Sequence, residues 1–330
     1  MATADQIKAL LQSHVTGDEE RFYATALQVA ATEARQGHAN LARELRTLVD
    51  EGRSDASSVR AGAKALGPIP VAQPRGELAS LITAHYPHRR MADMVLSPGV
   101  QARLTRILRE QREHERLRAS GLRPRNRVLL VGPPGSGKTL TASVIAGEMA
   151  LPLFSIQFDG LITKFMGETA AKLRLVFDAI QRTRGVYLFD EFDAIGGNRG
   201  LTNDVGEMRR VLNSFLQFLE QETSLSVIVA ATNHAELLDR ALFRRFDDVI
   251  EYGLPSPDLI ERAVRAHLGS LDLTALSWPE VVSAAEGLSY AELAAASNDV
   301  AKLAVLDDAP TVTSSVLVDA LRERAERRSP

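Results

Sequence analysis

The run Gly132-Pro133-Pro134-Gly135-Ser136-Gly137-Lys138-Thr139 has the composition and spacing of a phosphate cradle. Glycines let successive backbone N–H groups turn inward and form a nest for an anion. A helix starting near Lys138 would aim its positive end at the same point, with Leu140 in its first turn. Lys138 is the point charge for the β- and γ-phosphates, and the Thr139 hydroxyl is a ligand for Mg2+. The apolar run Val128 to Val131 leads straight into the cradle, and Val144, Ile145 and Met149 follow it at helical spacing. That strand–loop–helix order separates the pattern from a chance glycine turn.

Two further apolar runs end in polar groups. Val186-Tyr187-Leu188-Phe189 is followed by Asp190-Glu191. In phosphate-loop enzymes the first such carboxylate holds Mg2+, which assigns Asp190 to the metal. Glu191 beside it is placed to act as general base on an attacking water. Asp193 reads instead as a cap for the next element. The run from Val227 to Ala231 ends in Thr232-Asn233, and the Asn233 amide can hold that water against a phosphate. Asn at a strand end is ordinary turn chemistry when alone. Its meaning here comes from the order of all three segments.

These groups need a scaffold. From about Leu78 to Leu254 short apolar runs alternate with helical patterns, the signature of a parallel sheet covered on both faces. The expected fold class is therefore α/β, a three-layer parallel-sheet P-loop NTPase core over residues 78–254. Residues 255–330 read as helical to the end, the region that the family resemblance described below makes a helical lid, with Ser289-Tyr290-Ala291-Glu292 as a capping box opening a helix that carries Leu293, Val300 and Leu303. Residues 1–52 read as a small N-terminal helical domain, either an assembly scaffold or a partner-docking module. Residues 53–77, rich in Ser, Gly, Ala and Pro, read as a linker.

Composition narrows the function classes. The chain has 330 residues, 45% hydrophobic and 25% charged, the profile of an ordinary globular protein of two or three units. It has no cysteine, which excludes disulfides, thiolate zinc sites and thiol chemistry. No apolar run reaches the ~18 residues of a bilayer span. The first residues lack the basic and apolar regions of a signal peptide, and a cytoplasmic protein is expected. A net charge of −3 and a pI of about 6.2 argue against a general nucleic-acid binder.

The motifs together resemble the AAA+ ATPases, and within them the AAA clade proper, over about residues 87 to 306. In that resemblance residues 132–139 are Walker A, Asp190-Glu191 closes Walker B, and Asn233 is sensor 1. Gly287-Leu288-Ser289-Tyr290-Ala291-Glu292-Leu293 is similar to the clade's lid motif. Ala241-Leu242-Phe243-Arg244-Arg245-Phe246-Asp247 is similar to the arginine-finger segment. The clade spaces its two arginines by two residues, whereas Arg244 and Arg245 are adjacent. Either could reach a neighbouring subunit's γ-phosphate, while the other could pair with Asp247 or Asp248. Phe165-Met166-Gly167, after Lys164, resembles a pore loop that grips a threaded polypeptide; the alternative is that Phe165 and Met166 pack into the core. Met94-Val95-Leu96 stands where the family holds adenine by a backbone contact.

The resemblance implies ATP and Mg2+ as cofactors, a homo-oligomeric ring, commonly a hexamer, and remodelling or threading of protein clients. The stretch from Asp18 to His38, with Ala231 to Arg240, is also similar to small bacterial AAA ATPases encoded beside a subtilisin-like serine protease in plasmid-maintenance and phage-defence modules. That similarity implies a protease partner and an antiviral role. The alternative is a nucleotide-gated switch that restrains or activates one effector without threading.

Overall fold

The structure is a computed structural model that describes residues 74, 76–161, 168–193, 204–238, 240–269, 271–308 and 311–327. The expected N-terminal helical domain and almost all of the linker lie outside the described residues. So do Phe165, Met166 and Gly167.

In chain order the elements are α1 (Leu78–Leu81), β1 (Ile82–His85), α2 (Pro98–Arg112), α3 (His114–Ala119), β2 (Arg127–Val131), α4 (Lys138–Met149) and β3 (Leu153–Ile156). Then come α5 (Phe158–Leu161), α6 (Glu168–Arg182), β4 (Val186–Phe189), α7 (Asp204–Gln221), β5 (Val227–Thr232), α8 (Arg240–Phe243) and β6 (Asp248–Glu251). The remainder is helical: α9 (Pro257–Leu268), α10 (Trp278–Ala284), α11 (Tyr290–Leu306) and α12 (Ser314–Glu326).

The strands form one six-stranded sheet in the order β1-β3-β4-β5-β2-β6. All pairs are parallel except β1 with β3 at one edge. Strand alternation sends consecutive side chains to opposite faces, and the core divides accordingly. Leu129, Tyr187, Phe189, Ile228 and Ala230 pack with α6 and α7. Val128, Leu130, Leu188, Val229 and Ala231 pack with α2 and α4. The result is the three-layer α/β P-loop NTPase fold that the sequence predicts. The central strands β4 and β5 are buried at every position because both of their faces are covered.

On α6, Leu173, Val176, Phe177 and Ile180 are all buried, the stripe that their spacing predicts. Ser97 caps α2 by accepting from Val100 N at 3.4 Å, with Pro98 in the first turn.

The C-terminal helices have their own apolar cluster, including Ile260, Val264, Leu268, Leu293, Val300, Leu317 and Leu321. Each fully buried Leu or Ile of this kind stabilises by about 1.5–3 kcal/mol relative to exposure. The capping box forms: Ser289 N donates to Glu292 Oε2 at 2.7 Å, and Glu292 N to Ser289 Oγ at 3.3 Å. The helix carries Leu293, Val300 and Leu303 as expected; Leu303 is 50% exposed, because the turn beyond Val300 runs past the end of the cluster. Arg324 pairs with Asp299 and Arg327 with Glu323 at the end of α12.

Candidate functional site

The strand order places β4, β5 and β2 side by side, with Val131 opposite Thr232 and Phe189 opposite Ala230. Their C-terminal ends therefore bring the cradle, Asp190-Glu191 and Asn233 to one edge of the sheet. This is the edge where open parallel sheets bind ligands.

Lys138 is 7% exposed at the first position of α4. Its Nζ donates to Gly132 O at 2.7 Å, Pro133 O at 2.8 Å and Asn233 Oδ1 at 2.8 Å, with Ser136 Oγ at 3.4 Å. Burial lowers its pKa, and the charges of Asp190 and Asp193 partly oppose that shift. Lysine and asparagine, far apart in sequence, are thus in direct contact. Ser136 is buried in the loop, whereas Pro134 stands exposed at its tip.

Thr139 Oγ1 donates to Asp190 Oδ2 at 2.6 Å. This pair of hard oxygen donors suits Mg2+, which is held by one or two protein groups plus phosphates and water. Glu191 follows at φ +50°, a left-handed conformation unusual for a non-glycine residue. Both neighbours hold it there. Asp190 Oδ1 accepts from Glu191 N at 3.0 Å, and Phe192 is fully buried with its N–H donating to Ala231 O at 2.8 Å. The Phe192 ring packs 4.8 Å from that of Phe215, which in turn meets Phe189 edge-on at 5.1 Å. The side chain of Glu191 is exposed.

Asp193 has a larger part than its sequence reading. Its Oδ1 accepts from Thr232 Oγ1 at 3.0 Å and faces Asn233 N at 3.4 Å. It ties the turn after β4 to the end of β5, and the element it was expected to cap lies outside the described residues. The sequence separation of 39 residues left only one available signal, a third acid after an apolar run.

The C-terminal helices close over the loop. Ala291 N donates to Gly135 O at 3.0 Å. Gly135 has φ +73°, and a Cβ there would lie 2.6 Å from Ser289 Oγ. Tyr252, 6% exposed, braces the cradle from behind: its hydroxyl is 2.6 Å from Thr141 Oγ1, and its N–H donates to Val131 O at 2.7 Å. Leu96 is buried against the α2 and α4 layer, whereas Val95 packs on the C-terminal cluster. The segment Met94-Val95-Leu96 thus spans both bodies beside the cradle.

Neither adjacent arginine pairs with Asp247 or Asp248, a correction to the sequence reading. Asp247 Oδ2 accepts from Asn126 N and Arg127 N, each at 3.0 Å, and Asp248 pairs with Arg103 at 2.5 Å. Arg245 pairs with Glu220 on α7. Arg244 is exposed and has no ion pair among the described residues.

Comparison with known proteins matches this architecture. Residues 128–254 match the ATPase family associated with various cellular activities (AAA). An uncharacterized AAA family ATPase of Sinorhizobium fredii, y4kL, is 32% identical over 329 residues, covering 100% of this chain and 97% of that protein. The ATP-dependent zinc metalloprotease FtsH 3 of Sphaerobacter thermophilus is 34% identical over 260 residues, which is 75% of this chain but 52% of FtsH 3. For FtsH 1 of Methylacidiphilum infernorum the figures are 36% over 216 residues, 63% and 34%. The crystal structure of the FIGL-1 AAA domain superposes with a TM-score of 0.60 at 21% identity, covering 78% of this chain and 92% of that one, a likeness of fold. The chain belongs to the AAA ATPase family.

Proposed function

We propose that the protein is an Mg2+-dependent ATPase that assembles into a homo-oligomeric ring, a hexamer, and remodels or threads protein clients. The observation that carries this reading is the convergence of Lys138, the Thr139–Asp190 pair, Glu191 and Asn233 at one sheet edge. In this reading residues 78–254 form the nucleotide-binding core and 255–330 the lid. The loop amides of residues 132–137 and the first turn through Leu140 cradle the triphosphate. Lys138 exchanges its bonds to Gly132 O, Pro133 O and Asn233 Oδ1 for phosphate oxygens. That exchange frees the Asn233 amide to orient water. Glu191 takes a proton from that water as it attacks the γ-phosphate. Thr139 and Asp190 hold Mg2+, which when bound neutralises phosphate charge. Arg244 supplies the finger to the neighbouring site, since Arg245 is held by Glu220.

The biological setting extends the same proposal. The client passes Phe165, Met166 and Gly167 in the pore, and a subtilisin-like serine protease is the partner in a cytoplasmic defence or maintenance module. Support comes from the similarity of residues 18–38 described above. A general link to proteolysis, though of another catalytic class, is supported by relatives named ATP-dependent zinc metalloproteases. No helix among the described residues is long and apolar enough to cross a membrane.

Affinity capture of the Glu191→Gln protein with ATP in native lysate tests this setting. A single stoichiometric serine protease is the expected companion. Many clients in small amounts, with no protease, would remove the partner and leave a general remodeller. A single non-protease companion indifferent to Phe165→Ala would favour the switch.

A further inference from the structure

Behind the cradle, three residues share a short chain of hydrogen bonds. Gly137 ends the loop, Thr141 lies one turn into α4, and Tyr252 follows β6 directly. The Tyr252 hydroxyl is 2.6 Å from Thr141 Oγ1, and Thr141 Oγ1 donates to Gly137 O at 3.0 Å. A hydroxyl has one proton to give, and a carbonyl can only accept. The Thr141 proton therefore goes to Gly137 O, and Tyr252 donates to Thr141. The chain runs in one direction, from Tyr252 through Thr141 to Gly137. Thr141 is fully buried and Tyr252 is 6% exposed, so bulk water does not compete for these bonds.

The far end of the chain is a peptide group of the cradle itself. Gly137 is the N-cap of α4, at φ +98°. Its carbonyl accepts from Thr141 N at 2.9 Å as well as from the Thr141 hydroxyl. The same peptide unit carries the Lys138 N–H. In a trans peptide the C=O and the N–H point in opposite directions. Two bonds that hold the carbonyl along the helix thus hold the N–H outward from its start. That N–H is one of the first-turn donors a helix leaves unsatisfied, and such donors point at an anion bound there. Hydrogen bonds in a chain also polarise one another, by about 10–30% per bond. Each bond accepted by Gly137 O makes the Lys138 N–H a stronger donor.

Tyr252 also reaches the opposite end of the loop. Its N–H donates to Val131 O at 2.7 Å, and a Cβ on Gly132 would lie 2.4 Å from Tyr252 O. The backbone of Tyr252 thus fits against Gly132, while its hydroxyl acts on Gly137. Removing the hydroxyl alone disturbs only the second contact.

We infer that Tyr252 and Thr141 are positioning residues for the β-phosphate: their hydroxyls orient and polarise the Gly137–Lys138 peptide so that the Lys138 N–H grips that phosphate. This role rests on the cradle being a nucleotide site, as proposed above. The β-phosphate is common to ATP and ADP and is held alike before and during cleavage. The effect therefore belongs to binding and not to turnover.

Calorimetric titration of the full chain with ADP and Mg2+, beside steady-state ATP hydrolysis, tests this role. Tyr252→Phe is expected to weaken ADP by about three- to tenfold and to raise KM for ATP by the same factor, with kcat within about twofold. Thr141→Val is expected to weaken ADP at least as much, and Thr141→Ser, which keeps the hydroxyl, to rescue the affinity. Adding Tyr252→Phe to Thr141→Val is expected to weaken ADP no further, since the tyrosine acts through the threonine. A tyrosine that served folding alone would lower the melting temperature of Tyr252→Phe and leave ADP affinity where it was. That result would overturn the role, as would losses that multiply in the double variant or a fall in kcat at constant KM. A wild type that binds neither ADP nor ATP would overturn the cradle reading and this role with it. Wild-type binding with unchanged affinity in Tyr252→Phe would overturn this role alone.

Discussion

Arg244 and Arg245 are neighbours in sequence but have different surroundings. Arg245 shares a surface pair with Glu220, with 45% and 40% of the side chains exposed, and such a pair contributes at most about 1 kcal/mol. Arg245→Ala should therefore lower stability slightly and leave turnover nearly intact. Arg244→Ala should cut kcat by ~10³–10⁵, or roughly 4–7 kcal/mol of barrier, with ATP affinity preserved. Steady-state kinetics beside nucleotide titration separates the two, and equal mild losses would remove Arg244 from the trans role. Asp193 acts at one remove, through Thr232 and Asn233. Asp193→Ala should lower kcat by about 10–100-fold with KM little changed, and Asp193→Asn should recover part of it, since an amide oxygen still accepts from Thr232. A rise in KM with kcat constant would instead place Asp193 in nucleotide binding.

Among elements, the contact between the cradle and the C-terminal helices carries a distinct prediction. Gly135→Val places a branched side chain at φ +73° and drives it into Ser289. Loss of ATP binding with a clear drop in melting temperature is expected from calorimetry and nucleotide titration. Tyr252 gives a pH signature. Burial pushes its pKa from 10.0 up to about 12. Folding favours the neutral phenol, so this contribution is complete below about pH 10 and is lost as pH rises toward 12. Tyr252→Phe should cost about 1 kcal/mol at neutral pH and make alkaline unfolding less steep between those values. An unchanged alkaline profile would show that Tyr252 does not contribute. These elements differ in how legible they were. β2, β4 and β5 stood out because strands covered on both faces carry continuous apolar runs, Val128–Val131, Val186–Phe189 and Val227–Ala231. By contrast β1 and β6 sit at the sheet edges with polar residues such as Thr83, His85, Asp248 and Glu251, and β3 carries Ser155 within a run of four. Their identity comes from pairing, which no local window contains. The cradle was legible because phosphate chemistry restricts contiguous residues. The Asp193–Thr232 and Arg245–Glu220 contacts were not, because each joins segments set together only by the sheet.

At the scale of the molecule, the proposed finger from a neighbouring chain would make activity depend on assembly. Specific ATPase activity should fall on dilution as rings dissociate, and Glu191→Gln with ATP should elute as the ring in size-exclusion chromatography with light scattering. Activity independent of concentration over the range where the chain is monomeric would contradict the shared site. The central claim is that Glu191, set at φ +50° between Asp190 and the buried Phe192, is the base for ATP hydrolysis. Its most direct test is steady-state phosphate release by the wild type and Glu191→Gln, beside equilibrium ATP binding by both. The account predicts hydrolysis by the wild type, a loss of about 10²–10⁴ in the variant, and matched ATP affinity. Unimpaired turnover by Glu191→Gln, or a wild type that binds ATP with Mg2+ and does not cleave it, would contradict it.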